Sequence, residues 1–215
     1  ECDILIVGGG GAGGNSMGGG GGAGGVVYTI GQILSKGTYT VGVGNGGLGI
    51  KLLVEQGTIG SNQDGKDSFI KNSSGNYVSM NMEVTNQYLR GIGGGGGGVY
   101  HSPTYVNGRD GGSGGGSSET NDNNWVINQS GLALQPKTLW NGITYITGGK
   151  NGRVNTTTAN DYKGGGGGGA GDIAANYNNG TDGIGINITG KNQYYAAGGG
   201  AGQYQVNYST SEGLG

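Results

Sequence analysis

Side chains able to do acid–base, nucleophilic or metal chemistry are few in this chain and widely scattered. His101 is its one histidine and Cys2 its one cysteine. A single histidine leaves no His-based metal site and no replicated acid–base apparatus. A Ser–His–acid triad would have to be built on His101, in the polar stretch between Tyr100 and Pro103, and no nucleophile elbow surrounds it. One cysteine gives neither an internal disulfide framework nor a multi-cysteine metal site. Cys2 therefore reads as a small residue leading into a strand, with an intermolecular disulfide as the sharper alternative. Glu55, Asp64 and Asp67 are close enough in sequence for a carboxylate pair, but read as solvated loop acids. Gly168-Gly169-Ala170-Gly171-Asp172 approaches a calcium-binding β-roll repeat, yet places the acid one position early and does not recur. These residues predict no enzyme, no metal site and no cofactor.

One motif points the other way. Asp3 to Gly13, DILIVGGGGAG, runs an apolar strand into Gly8, Gly10 and Gly13 at the G-x-G-x-x-G spacing of a dinucleotide-binding loop. That chemistry needs a helix whose N-terminus receives the pyrophosphate. Here Asn15, Ser16 and Met17 lead into five more glycines, each disfavoured in a helix by about 1 kcal/mol against alanine. No acid occurs between Asp3 and Glu55 to hold a ribose. In so glycine-rich a chain the spacing is a coincidence.

The elements that would position any site are set by composition. Glycine supplies 59 of 215 residues, about four times the usual ~7%. Only 32% of residues are hydrophobic and 11% charged, so both an ordinary core and an ordinary charged surface are missing. Net charge is −2, which offers no electrostatic footprint for nucleic acid or an anionic membrane. No apolar stretch approaches the ~20 residues that span a bilayer. The chain begins at Glu1 rather than Met, so an N-terminal piece is expected to have been removed or left out, and no secretory signal is present. One domain, 1–215, accommodates the length, with 99–163 as a loop-rich insertion.

Strand signals recur between the glycine runs. They fall at 3–7, 26–30, 38–43, 50–54, 68–70, 125–127, 137–140, 143–147, 184–188 and 203–208, while Tyr194-Tyr195-Ala196-Ala197 feeds the last glycine run. The clearest is 77–85, where Val78, Met80, Met82 and Val84 alternate with Ser79, Asn81, Glu83 and Thr85 at period two. Asn45-Gly46 is a turn signal. Residues 61–67 read as a loop, 99–124 as a long exposed excursion and 151–163 as an Asn/Thr loop. Helical periodicity persists nowhere for three turns.

The glycine runs themselves lie at 8–11, 18–22, 93–98, 114–116, 164–169 and 198–200. Ordering a glycine costs roughly 0.5–1 kcal/mol more than ordering an alanine, so a folded structure must gain from the missing side chains. An extended three-residue helix made only of glycine can be surrounded on all sides, its N–H and C=O groups pointing outward to equivalent neighbours. Six residues at ~3.1 Å span roughly 19 Å, matching the ~17–20 Å of an ordinary strand. The prediction is a helix-poor, all-β and irregular fold, in which a β-sandwich-like layer carries packed polyglycine type II helices.

In their order, four segments resemble the glycine-rich domain of phage tail-fibre adhesins and large-virus surface proteins: ILIVGGGGAGG from Ile4, GGAGGVVY from Gly21, GTYTVGVGNGG from Gly37 and ITGKNQYYAAGGGAG from Ile188. Gly65-Lys66-Asp67-Ser68-Phe69 resembles the G-x-D-S-F element that follows the third of these. The segment 99–163 is longer and richer in Asn and Thr than that pattern, and Ala197 and Ala201 interrupt the last run. The resemblance implies a non-catalytic virion or extracellular protein, a fibre-tip or capsid-surface module on the virion surface. Its loops would meet a host glycan or surface protein, within an oligomer or larger assembly. Aromatics on the polar excursions, Tyr100, His101, Tyr105, Trp125 and Trp140, are the candidate contacts; packing under a long loop is the plainer role for the tryptophans. A self-assembling subunit of a capsid or extracellular filament is the alternative. Sequons at Asn72, Asn128, Asn155, Asn179, Asn187 and Asn207 raise a third class, a glycosylated extracellular module.

Overall fold

The computed structural model describes residues 1–15, 17–49, 63–80, 87–100, 106–119, 128–136, 138–139, 145–148, 163–171 and 178–202. Among them there is no α-helix. The strands are β1 (Cys2–Val7), β2 (Val26–Gln32), β3 (Tyr39–Gly42), β4 (Ser68–Asn72), β5 (Arg90–Gly91), β6 (Thr138–Leu139), β7 (Tyr145–Gly148), β8 (Ile184–Ile186) and β9 (Gln193–Tyr195). They form antiparallel sheets in the orders β1-β2-β7-β6, β3-β4-β5 and β8-β9.

The unbroken apolar run at Ile4–Val7 is explained by burial on both faces of β1. Ile6 and Val27, paired across β1 and β2, join Met80 and Leu89 in one core, with Ile4, Leu34, Ile70 and Val78 against it. The alternate residues point the other way. Val26 packs with Ala170 and Ile186, and Leu5, Val7, Tyr28, Ile184 and Tyr195 flank them. One small sheet thus separates two cores, one towards β4 and β5 and one towards the β8–β9 hairpin.

The glycine segments are neither helix nor strand in hydrogen bonding, yet they are regular. Their contacts repeat every third residue. Gly8, Gly11 and Gly14 donate to the carbonyls of Gly25, Gly22 and Gly19, while Gly9 and Ala12 donate to Lys66 and Gln63. Gly19, Gly22 and Gly25 donate to Gly98, Gly95 and Ile92; Gly20 and Ala23 donate to Gly165 and Gly168. Ser113, Gly116 and Glu119 donate to Ala23, Gly20 and Met17, and Gly164, Gly167 and Ala170 to Gly202, Gly199 and Ala196. Each segment therefore serves different neighbours through different rows of amides, which a two-residue strand period does not allow.

Glycine is needed here for space. Among the described residues, positive φ occurs only at Gly31, Gly75, Gly190 and Ala196, all outside the runs. A Cβ built on Gly11, Gly97 or Gly167 would instead fall on the carbonyl oxygen of Gly95, Gly19 or Gly21, well inside any allowed contact. Each hydrogen bond is worth a net ~0.5–1.5 kcal/mol, close to the ~0.5–1 kcal/mol extra ordering cost per glycine. Ordering the backbone costs a further ~1–2 kcal/mol per residue, so the lattice does not hold by itself, and the two apolar cores anchor it.

Several sequence expectations are corrected. Residues 111–119 are buried inside the lattice rather than forming an exposed excursion. Residues 63–67 are not a free loop: Gln63 is buried and Gly65 donates to Gly94. Asn45-Gly46 makes no turn; the Asn45 carbonyl accepts Lys66 N–H, and Gly47 donates to Gly10. Val78 and Met80 do turn inward and Ser79 outward, but Tyr77 and Ser79 make isolated bridges, to Lys71 and Tyr88, rather than a continuous strand. The strand expectations at 50–54, 125–127 and 203–208 lie outside the described residues, as do 81–85 of the clearest one and the loop at 151–162.

Candidate functional site

The lattice is completed at its margins by polar side chains standing where a further backbone would be. Gly93 donates to Asp67 Oδ1 at 2.9 Å and Gly96 to Asp64 Oδ1 at 3.0 Å. Both carboxylates are also ion-paired. Asp64 takes Arg109 Nε at 2.7 Å and Nη2 at 2.8 Å, and Asp67 Oδ2 takes Arg90 Nε at 2.7 Å. Gln135 Oε1 accepts Ile92 N–H at 2.9 Å, Ser68 Oγ accepts Gly44 N–H at 3.0 Å, and Thr181 Oγ1 accepts Gly169 N–H. Asp64 and Asp67 are therefore structural ion-pair partners, not solvated loop acids; Glu55 lies outside the described residues. The Gly8, Gly11 and Gly14 amides are taken by the chain itself and no helix follows, so the strand–loop–helix that the dinucleotide motif requires is not formed.

The Arg90–Asp67 pair leads out of the lattice to the outer face of the β3-β4-β5 sheet. The cross-strand partners Gly42, Phe69 and Arg90 share that face, as do Thr40 and Lys71. Phe69, the chain's only phenylalanine, lies across Gly42, where any Cβ would collide with its ring. Its ring meets Tyr77 edge-on, with centroids 5.7 Å apart at 79°, and Tyr77 meets Tyr88 at 6.2 Å. Lys71 Nζ stands 4.8 Å from the Phe69 centroid and 4.6 Å from that of Tyr77; Arg90 Cζ stands 5.0 Å from Tyr77. Three rings and two cations thus form one platform, with Tyr88 40% exposed. Sequence reasoning missed it because its members come from three separated segments. The available signal was period two: Phe69 and Lys71 alternate with the inward Ile70, and Tyr77 with the inward Val78.

The contacts expected from sequence are not brought together among the described residues. Tyr100 is buried, so it packs at the end of its glycine run instead of projecting. His101, Tyr105, Trp125 and Trp140 lie outside the described residues, as do the sequons at Asn155 and Asn207. Asn128 is buried, and its Nδ2 donates to the Ser118 and Glu119 carbonyls at 3.3 and 2.9 Å; a glycan there would displace the core of that corner. Asn72 Oδ1 accepts Ser74 and Asn76 N–H in a turn, Asn179 is half-buried and Asn187 is exposed. Cys2 is exposed in β1, its Sγ donating to the Gln32 carbonyl at 3.6 Å. No group of three or more metal-ligating side chains occurs among the described residues. No helix among them is long and apolar enough to cross a membrane.

A body of hydrogen-bonded glycine segments joined by short antiparallel sheets, with no α-helix among the described residues, defines the class of protein. The chain belongs to the glycine-rich domain family, whose model matches residues 1–215. No curated protein and no solved structure matches it.

Proposed function

We propose that this chain is a non-enzymatic structural protein of a virion or extracellular surface, a fibre-tip or capsid-surface module that presents loops for attachment to a host glycan or surface protein. Its glycine segments are polyglycine type II helices, and the strands around them form the sandwich-like layer on which the bundle rests. The three-residue repeat of the hydrogen bonds carries this reading, since such a helix has three residues per turn. A body held in three directions by short backbone bonds is a rigid support, and rigidity of the support lowers the ordering cost of whatever binds its loops.

Binding of the labelled chain to panels of host cells and glycans tests the attachment role. Tyr105→Ala and Trp125→Ala are expected to lose binding while the glycine amide resonances keep their positions; unchanged binding sinks the loop assignment. Backbone angles near φ −75° and ψ +145° through 93–98 are expected in an experimental structure, and strand angles there would overturn the helix assignment.

A second reading, a self-assembling subunit of a capsid or extracellular filament, is favoured by β3. Among the described residues this edge strand pairs with β4 alone; it exposes Val41 at 66% with Val43 just beyond it at 84%, and sits in an uncharged stretch, 37–49. Unpaired strand edges without charge or proline are templates for further strands. Chromatography and electron microscopy discriminate: spontaneous fibres or sheets dispersed by Val43→Lys favour the subunit, and discrete soluble particles favour the attachment module.

A further inference from the structure

We propose that the outer face of the β3-β4-β5 sheet binds an acidic saccharide, a pyranose carrying a carboxylate, with Tyr77 and Tyr88 as the stacking surface and Lys71 as the partner of the acid. This deepens the attachment reading, and rests on it, by naming a ligand class and a place distinct from the loops.

Two charges and three rings decide the ligand. Arg90 is matched by Asp67, so it adds no net charge to the face. Lys71 makes no ion pair among the described residues, and its ammonium is held over two rings at once. Among the described residues the platform therefore carries one uncompensated positive charge on an aromatic surface. Its complement has an apolar C–H face for the rings and one negative charge beside it. A sugar acid has both. Thr40, exposed and directly across from Lys71 in register, adds a hydroxyl for a ring hydroxyl of the sugar.

The face is also built to stay in place. Phe69 is seated over Gly42, and Arg90, with its Cζ 5.0 Å from the Tyr77 centroid, is fixed by Asp67, which itself accepts Gly93 N–H from the lattice. A chain of direct contacts thus runs from a glycine rod to the stacking ring. The side chains that meet the ligand are largely ordered before it arrives, and this preserves affinity at a small, open site.

The test uses the full chain with trigalacturonate and sialyllactose as acidic probes and lactose as the neutral one, read by calorimetry and saturation-transfer NMR. Acidic probes are expected to bind and lactose to bind more weakly, with the difference shrinking as salt rises. Lys71→Gln is expected to weaken the acidic probes about fivefold and leave lactose unchanged. Tyr88→Ala is expected to weaken all probes by about tenfold or less. Unchanged Gly95 and Gly98 amide shifts establish that both variants are folded. Acidic and neutral probes bound alike, no probe bound by the wild type, or variants binding as the wild type does, each overturns the site. Cell attachment by a wild type that binds no acidic probe overturns this site while leaving the attachment reading intact. Acidic-probe binding without cell attachment supports the site and removes the attachment reading.

Discussion

Asp64 accepts the Gly96 N–H on Oδ1 at 3.0 Å and holds Arg109 Nε on the same oxygen at 2.7 Å. Three residues later, Asp67 accepts the Gly93 N–H on Oδ1 and Arg90 Nε on its other oxygen, Oδ2. Gly94 and Gly97 donate to Gly9 and Ala12, and Gly95 and Gly98 to Ser113 and Gly116. All six amides of 93–98 are thus satisfied in three rows, two by backbone and the third by a pair of carboxylates at spacing three. The acids take the place of a missing rod, and their charge is neutralised by arginines from the flanking segments.

Asp64→Ala is expected to destabilise the fold by about 2–3 kcal/mol, because it removes a charged acceptor shared by a rod amide and a guanidinium. Asp64→Asn, which keeps an acceptor oxygen for Gly96, is expected to cost less. Urea unfolding of the two variants measures the difference; equal costs would mean that the amide contact adds nothing.

Substitution within the rods is expected to divide by direction rather than by run. Gly97→Ala drives a methyl into the Gly19 carbonyl and is expected to cost about 3 kcal/mol or more. Gly10 is exposed, and a Cβ there would stand 3.9 Å from its nearest neighbour, Gly22 O. Gly10→Ala is expected to be neutral or to stabilise by up to about 1 kcal/mol through the unfolded chain. Thermal melts of the two single variants check this.

Amide exchange is expected to follow the same three-residue pattern. Gly11, Gly95 and Gly98 donate within the lattice, whereas Gly10 and Gly13 lie exposed. The first set is expected to exchange at least about a hundredfold more slowly, since its opening requires disruption of a cooperative unit. Uniform rates along residues 8–14 would contradict a rigid lattice.

Tyr28 supplies a pH signature. Burial, and secondly the Asp3 carboxylate, raise its hydroxyl above the ordinary value of 10.0. The unfolded chain then loses the proton first as pH rises, so this contribution is intact below pH 10 and is lost as pH climbs through the folded value. Melting temperatures above pH 10 are expected to fall less steeply for Tyr28→Phe than for the wild type. Parallel slopes would place Tyr28 in solvent.

Much of the local structure was legible. Alternation and β-branching located β1, β2, β3, β4 and β8 within a residue or two, and the inward turn of Val78 and Met80 followed from period two. The candidate contacts were less legible. Tyr100 was expected to project because the residues after it are polar, but its side chain is buried at the end of its run. Asn128 matched a sequon, which records three residues and nothing of the hydrogen bonds that bury the middle of that corner.

The sequence by itself determined that the chain is helix-poor, that it belongs among glycine-rich proteins, and that glycine runs of strand length alternate with short strands. Those properties are local: propensity, period and the absence of side chains act along the chain. Which row of each rod faces which neighbour, and where Asp64 and Asp67 replace a rod, was decided only in the tertiary structure. A glycine carries no side chain to specify a partner, so six identical residues leave their neighbours open. Their partners were selected by the apolar cores and ion pairs that bring residues 9, 65, 94 and 113 side by side.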